Sequence, residues 1–205
     1  ALPVAVNADS LATWFAPALA AFAARAPVLV EVAVDDQDHT TEWLRSGAVL
    51  AAVTATARPA AGCNSRPLGA MRYLAAASPA FVARHFAHGV GAGSLAKAPS
   101  LVFNSKDELQ ARWVRRVCHR HVDLPRHTLP SPQAFVTAAV AGMGWGLQPQ
   151  ALIASQLEDG TLVELVPETP LDVPLHWQHA RAASALLDGL SRLVLAAARA
   201  ALLPA

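Results

Sequence analysis

Residues 4–14 read Val-Ala-Val-Asn-Ala-Asp-Ser-Leu-Ala-Thr-Trp, and this stretch indicates how the fold begins. Together with the two residues before it, its first three residues form the short apolar run Leu2–Val6, which is typical of a buried strand. The polar residues that follow are those of turns and helix caps, and residues 11–24 then have high helix propensity. The stretch therefore predicts a strand, a polar turn and a helix in direct succession.

The same alternation continues along the chain. Strand-like apolar runs cover residues 28–34 and 49–54, and residues 39–45 between them predict a short helix. Short buried strands separated by helices favour βαβ units and a parallel sheet covered on both faces. A long strand over residues 68–77 then leads into a second strand–helix series, and residues 183–203 predict a final helix that returns to the first lobe. The sequence thus predicts the α/β class, with two Rossmann-like lobes and a central cleft.

Composition excludes several classes of protein. The 205 residues are 54% hydrophobic and 15% charged, which excludes a disordered chain. With 16 Lys and Arg against 15 Asp and Glu, the net charge of +1 provides no global field for holding DNA. Three charged residues interrupt the most apolar stretch, residues 186–201, so no membrane span is predicted. Two cysteines, Cys63 and Cys118, are too few for a disulfide scaffold and favour a reducing compartment.

No motif predicts catalysis, a cofactor or a metal. The glycines at 89–93 and 142–146 do not open a helix after a strand, as a phosphate cradle requires, so we interpret them as a surface loop and a tight strand entry. The Cys-His-Arg-His run at 118–121 lacks a second pair of ligands. The arginines of residues 112–120 are the best local nucleic-acid candidate, but a solvated helix face is the favoured interpretation. No hydrolase motif is present in the sequence, so we expect no enzyme.

Polar residues follow most of the predicted strands. Asn7, Asp9 and Ser10 come after the first strand, and Asp35 and Asp36 after the second. Each one alone is an ordinary cap or turn residue, but in a two-lobed fold they become the rim of one cleft, together with Thr54, Asn104, Ser105, Ser131 and Gln133. Backbone N–H groups at the starts of the helices at Ser10 and Pro132 would suit a carboxylate, and the aspartates would suit a cation. This set predicts an amphoteric ligand with an additional positive charge.

Residues 4–14 also resemble the start of the effector-binding domain of LysR-type transcriptional regulators. The resemblance is to the ArgP/LysG branch, which responds to lysine and arginine, and it covers essentially all 205 residues. Further matching segments run through the chain: residues 31–36, 44–47, 68–73, 103–107, 133–136, 144–146 and 175–177.

The resemblance implies a bilobed fold like that of type 2 periplasmic binding proteins, with a small effector between the lobes. It divides the chain into lobe I, residues 1–72 plus 176–205, and lobe II, residues 73–175. By position, the family pocket would be lined by Ala8, Asp9, Ser10, Asp35, Asp36, Thr54, Asn104, Ser131, Gln133 and Trp145. Some branch members carry acids where this chain has Asn104 and Gln133, which leaves the choice between lysine, arginine and another effector open.

The resemblance also implies a biological role. We expect an effector-sensing and oligomerising domain that is cytoplasmic and has no membrane contact, and that controls export or metabolism of basic amino acids. Effector domains of the family form homodimers and full-length proteins tetramers. DNA is bound through an N-terminal winged helix-turn-helix, which these 205 residues do not include. An extracytoplasmic solute-binding protein for an amino acid is the alternative.

Overall fold

The computed structural model describes residues 1–35 and 39–205. Within them, strands and helices alternate for most of the chain. The strands are β1 (Leu2–Val6), β2 (Val30–Val34), β3 (Ala51–Thr54), β4 (Cys63–Ala77), β5 (Ser100–Val102), β6 (Arg126–Thr128), β7 (Gly146–Pro149), β8 (Val163–Glu164) and β9 (Leu171–Ala180). The α-helices are α1 (Ala8–Ser10), α2 (Ala16–Ala23), α3 (Thr40–Ser46), α4 (Pro79–His85), α5 (Ala92–Leu95), α6 (Leu109–Cys118), α7 (Pro132–Val140), α8 (Ala154–Asp159) and α9 (Ser184–Ala201). A π-helical segment (Leu11–Phe15) joins α1 to α2, and a 3-10 turn (Arg181–Ala183) precedes α9.

The chain divides into two compact units. Unit 1 comprises Ala1–Met71 and Val173–Ala205, and unit 2 comprises Arg72–Asp172. Two strands, β4 and β9, therefore carry the chain from one unit into the other. At the boundary, the guanidinium of Arg72 donates two hydrogen bonds of 2.9 Å to the carboxylate of Asp172, both within unit 2.

The sheet of unit 1 has the strand order β2-β1-β3-β9. Strand β1 pairs in parallel with both β2 and β3, which confirms the predicted βαβ units. Strand β9 pairs antiparallel with β3, so the parallel sheet that the sequence predicts is continued by an antiparallel strand. The reason is that β9 enters this sheet from unit 2 rather than through a helical crossover, and local composition does not record the direction of a strand.

Helices cover the sheet of unit 1 and close its core. Leu187, Leu190 and Val194, on one face of α9, are completely buried, and α9 packs against α2. The side chains of Phe15 and Trp177 pack against each other, with ring centroids 6.3 Å apart, and Trp177 Nε1 donates to Ser191 Oγ on α9. The predicted first helix is thus confirmed, although it contains a π-helical segment that the sequence did not predict.

Unit 2 builds its core around short strands. Strand β4 pairs antiparallel with β7 and β8, and β5 pairs in parallel with β6. Leu101 and Phe135 pack together in this core. Gly146 is required at the start of β7, because a Cβ there would lie 2.6 Å from the ring of Phe135. This agrees with the interpretation of residues 142–146 as a tight strand entry.

Helix α6 is amphipathic in the manner that the sequence indicates. Trp113 and Val114 are buried, whereas Arg112, Arg115 and Arg116 are exposed on its other face. This agrees with the solvated-face interpretation of the arginine run. Among the described residues, no helix combines the length and the hydropathy that a bilayer crossing requires.

Candidate functional site

Polar residues of unit 1 meet where its three parallel strands end. The last residues of β1 and β2 are in register, and β1, which lies between β2 and β3, also ends beside the carboxyl end of β3. Two backbone hydrogen bonds fix the residues that follow, because Asp35 N donates to Val6 O at 2.8 Å and Asn7 N donates to Val53 O at 3.2 Å. Asn7, Asp35 and Thr54 therefore lie together. With Ala8, Asp9 and Ser10 they form what we call the unit 1 edge.

Ser10 is completely buried, and its hydroxyl has one defined partner. The indole Nε1 of Trp14 donates to Ser10 Oγ at 3.1 Å. Among the described residues, nothing accepts the hydrogen of the Ser10 hydroxyl. The unit 1 edge thus contains a buried donor whose hydrogen-bonding capacity is unused.

Asn7 provides a buried hydrogen-bond acceptor on the same edge. Its backbone is extended, and its side chain makes no capping hydrogen bond to the helix that follows. The Oδ1 atom of Asn7 is buried and has no hydrogen-bond partner among the described residues. A buried polar atom without a partner costs about 1–3 kcal/mol of folding free energy. A ligand that donates to Asn7 Oδ1 would remove this cost, so the edge offers a ligand an acceptor as well as a donor.

The other predicted residues of this edge are placed as follows. Ala8 and Asp9 are half-buried, and the carbonyl of Asp9 accepts a hydrogen bond of 2.6 Å from Thr13 Oγ1. Thr54 is buried, and its hydroxyl oxygen accepts from the backbone N–H of Thr56 at 3.2 Å. Asp35 is half-buried. Asp36 lies outside the described residues.

Unit 2 has a polar edge of its own, which we call the unit 2 edge: Asn104, Ser131 and Gln133. The parallel strands β5 and β6 end in register, and Asn104 and Ser131 follow these two ends along the chain. Asn104 is exposed, and its Oδ1 accepts from Lys106 N at 2.9 Å. Ser131 Oγ caps α7 by accepting from Ala134 N at 3.2 Å, while Gln133 is exposed.

Asp107 holds the loop that carries Asn104. Its carboxylate accepts from Phe103 N at 2.9 Å and from Leu109 N at 3.1 Å. Burial raises the pKa of the Asp107 carboxyl above its usual value, and these two backbone donors act against that rise. Asp107 therefore fixes the loop rather than offering a charge to a ligand.

Trp145 lies elsewhere in unit 2. It precedes β7 and forms a parallel bridge with Ser100, which is the first residue of β5, whereas the unit 2 edge follows the last residue of that strand. The ring is completely buried, with its centroid 5.4 Å from that of Trp113. The structure therefore does not bring Trp145 together with Asn104 and Ser131 within unit 2.

The structure also reveals polar residues that the sequence did not single out. Gln148, on β7, and Gln110, on α6, are each 1% exposed, and none of their side-chain amide atoms has a hydrogen-bond partner among the described residues. Trp145 Nε1 is likewise buried without a partner there. A glutamine within an otherwise apolar strand was the only available signal for Gln148. Since a single polar residue in a strand is common, the pattern did not predict it.

The structure shows no metal centre among residues 1–35 and 39–205, where no three His, Cys, Asp or Glu side chains are grouped to hold an ion. In the Cys-His-Arg-His run, His121 Nε2 lies 2.9 Å from a carboxylate oxygen of Asp123, and both side chains are exposed. This agrees with the solvated helix terminus that the sequence favours.

Comparison with known proteins identifies relatives along the whole chain. The transcriptional regulator ArgP of Pseudomonas fluorescens is 45% identical over 192 residues, which cover 93% of this chain and 63% of that relative. The chain therefore spans less than two thirds of the length of this regulator. The C-terminal domains of a LysR family protein from Agrobacterium tumefaciens are 54% identical, with a TM-score of 0.98 and coverage of 100% of this chain and 99% of that one.

A third relative is the full-length regulator LysG from Corynebacterium glutamicum, whose structure contains the bound effector arginine. It is 37% identical, has a TM-score of 0.86, and is matched over 99% of this chain and 69% of its own. The expected α/β class, with a fold like that of type 2 periplasmic binding proteins, is confirmed. Residues 2–201 match the LysR substrate binding domain, and the chain therefore belongs to this family, in its LysG/ArgP branch.

Proposed function

We propose that this chain is the effector-sensing and oligomerising domain of a LysR-type DNA-binding transcriptional regulator, and that its effector is a basic amino acid. The proposal includes a cytoplasmic location, a homodimer formed by this domain and a tetramer of the longer protein, which binds DNA through an N-terminal winged helix-turn-helix. The regulated genes serve export or metabolism of basic amino acids. The domain has no catalytic role, and the relatives named above are regulators.

The observation that carries the proposal is the pair of unused polar groups on the unit 1 edge. Asn7 Oδ1 is a buried acceptor without a partner, and the Ser10 hydroxyl is a buried donor without an acceptor, three residues further along the chain. An α-amino acid carries an ammonium group that donates and a carboxylate that accepts. The two halves of that zwitterion therefore match the two unused groups of the edge.

The charge of the unit 1 edge favours a cationic side chain on the ligand. Asp9 and Asp35 are two half-buried acids of this edge, and charged pairs that are partly shielded from water attract more strongly than exposed ones. Arginine, the effector bound to the 37% identical LysG, supplies such a cation. Asp36, the next residue in the chain, belongs to the proposed acidic set by its sequence position alone.

Unit 2 supplies the second proposed set of effector contacts. Asn104 and Gln133 are exposed and neutral, and the Ser131 hydroxyl retains its own hydrogen for donation while its oxygen caps α7. With Ala8 and Thr54, they complete the residues that we expect to surround the effector, and Trp145 belongs to this set by the family resemblance alone.

The proposed mechanism is a shift in population. An effector changes the balance between two arrangements of the domain only by binding one of them more tightly. The favoured arrangement would then alter the dimer and the DNA-binding heads that the longer protein carries.

Isothermal titration calorimetry of this chain with L-arginine, L-lysine and L-leucine tests the proposal. We expect saturable binding of arginine or lysine and none of leucine, together with weakened binding by Asp9→Ala. Asp188→Ala is the matched control, since Asp188 is an acid of unit 1 that is exposed on α9 and paired with Arg192 at 2.9 Å. No heat with either basic amino acid, or equal binding of leucine, would contradict the proposal.

A further inference from the structure

We propose that Trp14 is a positioning residue that occupies one acceptor site of Ser10 Oγ and directs the hydroxyl hydrogen away from the indole, and that this favours the carboxylate of the effector at the unit 1 edge. The inference rests on the proposed function and adds a cause for carboxylate selection. The polar atom of Trp14 is already engaged, because its indole N–H donates to Ser10 Oγ, so we assign Trp14 a role that acts through Ser10.

The chemistry follows from what each group can do. An indole N–H donates and has no lone pair with which to accept, whereas a hydroxyl does both. Because Trp14 Nε1 donates to Ser10 Oγ at 3.1 Å, it occupies an acceptor site of that oxygen. The hydroxyl hydrogen is directed away from the indole, and among the described residues it meets no acceptor. A ligand atom that accepts, such as a carboxylate oxygen, satisfies it.

The local fold holds the indole in place. Trp14 belongs to the π-helical segment Leu11–Phe15, and π-helical turns inside α-helices occur frequently at functional sites. Its ring packs edge-on against Phe15, with centroids 5.6 Å apart and planes at 81°. Trp14 and Ser10 are four residues apart on this helical run, and a buried ring with packed neighbours loses little further freedom when it donates.

Ser10 and Asn7 therefore have different hydrogen-bonding roles on the unit 1 edge. Ser10 has an unused donor and only one of its two acceptor sites left, whereas Asn7 Oδ1 can only accept. A ligand whose carboxylate is replaced by a carboxamide can still offer a carbonyl oxygen, but it forms a weaker, uncharged hydrogen bond. Because Ser10 is completely buried in this arrangement, an effector reaches its hydroxyl only in an arrangement in which the groups that cover it have moved.

The test compares L-arginine with L-argininamide, which differ at the carboxylate, in titration calorimetry of the whole chain. We expect wild type to prefer arginine, and Trp14→Phe to reduce the ratio of the two affinities about threefold to tenfold, the range for one hydrogen bond. Trp177→Phe is the matched control, because Trp177 Nε1 donates to Ser191 Oγ at 2.9 Å in the same unit and both residues are buried.

Three results support the inference together: a reduced ratio in Trp14→Phe, an unchanged ratio in Trp177→Phe, and no additional reduction when Trp14→Phe is combined with Ser10→Ala. A wild-type ratio in Trp14→Phe, or an equal loss of both affinities, overturns it while the proposed function stands. If wild type binds neither ligand, the proposed function fails as well. Thermal unfolding of each variant shows whether unit 1 remains folded.

Discussion

The two polar edges of this domain have the same origin in the fold but differ in what they leave unused. Both follow the carboxyl ends of parallel strands. On the unit 1 edge, Asn7 Oδ1 and the hydrogen of the Ser10 hydroxyl have no partner among the described residues. On the unit 2 edge, Asn104 Oδ1 already accepts from the backbone N–H of Lys106, and Ser131, whose hydroxyl hydrogen is also unused in the described part of the chain, is only half-buried.

The edges differ in charge as well. Unit 1 presents the carboxylates of Asp9 and Asp35, whereas the residues of the unit 2 edge are all neutral. Strand ends of similar geometry therefore carry different charge in the two units. We infer that the unit 1 edge provides most of the affinity and the selection for charge, and that the unit 2 edge adds weaker contacts.

The largest change in arginine affinity is expected when a charge is removed from the unit 1 edge. Asp35→Asn should lower arginine affinity about tenfold to a hundredfold, because a half-buried carboxylate that meets a cation contributes more than an exposed one. Calorimetry measures this loss, with Glu108→Gln as the control, since Glu108 is an exposed acid near the unit 2 edge. Equal losses in both variants would remove the distinction between the edges.

A second substitution disturbs the support of the unit 2 edge. Gly146→Ala places a Cβ 2.6 Å from the ring of Phe135, which belongs to the helix capped by Ser131. We expect a loss of about 1–3 kcal/mol in the free energy of unfolding, as for other overpacked cores. Urea denaturation measures it. Gly93→Ala, where a Cβ meets nothing within 4 Å, is the control and should cost little.

A pair of serine substitutions separates the helix-capping role of Ser131 from its proposed role in binding arginine. Ser131→Ala and Ser78→Ala each remove a hydroxyl that caps a helix of unit 2, since Ser78 Oγ accepts from Phe81 N at 3.2 Å. Both should cost about 1 kcal/mol of stability. Only Ser131→Ala should also weaken arginine binding, which calorimetry detects. If the two variants bind arginine alike, Ser131 is a cap and nothing more.

The smallest change in arginine affinity is expected when a charge is added to the unit 2 edge. Asn104→Asp adds a carboxylate at an exposed position, and exposed ion pairs contribute about 0.2–1 kcal/mol. Arginine affinity should therefore rise by a factor of about 1.5 to 5 at low salt, and the gain should shrink as salt is added. A gain larger than the Asp35→Asn loss would reverse the inferred order of the two edges.

Much of this arrangement was predictable from the sequence. Apolar runs followed by polar residues located β1, β2 and β3, and parallel strands that end in register necessarily bring Asn7, Asp35 and Thr54 together. Helices that begin at residues of high capping preference, such as Ser131, were also readable from the chain.

Other features depend on tertiary packing that no local pattern records. The antiparallel entry of β9 depends on where the chain returns after unit 2. The π-helical segment carries the same apolar, helix-forming residues as an ordinary helix, so propensity does not distinguish them. Gln148 is unpartnered because of its surroundings in unit 2, and its identity alone did not predict this.

The central claim is that the unit 1 edge holds the zwitterion of a basic amino acid. A crystal structure of this chain with L-arginine, at a concentration near the calorimetric Kd, tests it most directly. We expect the ligand carboxylate within hydrogen-bond distance of Ser10 Oγ and the α-ammonium within hydrogen-bond distance of Asn7 Oδ1. Arginine bound away from Asn7 and Ser10, or bound with its carboxylate against Asp9 or Asp35, would contradict the claim.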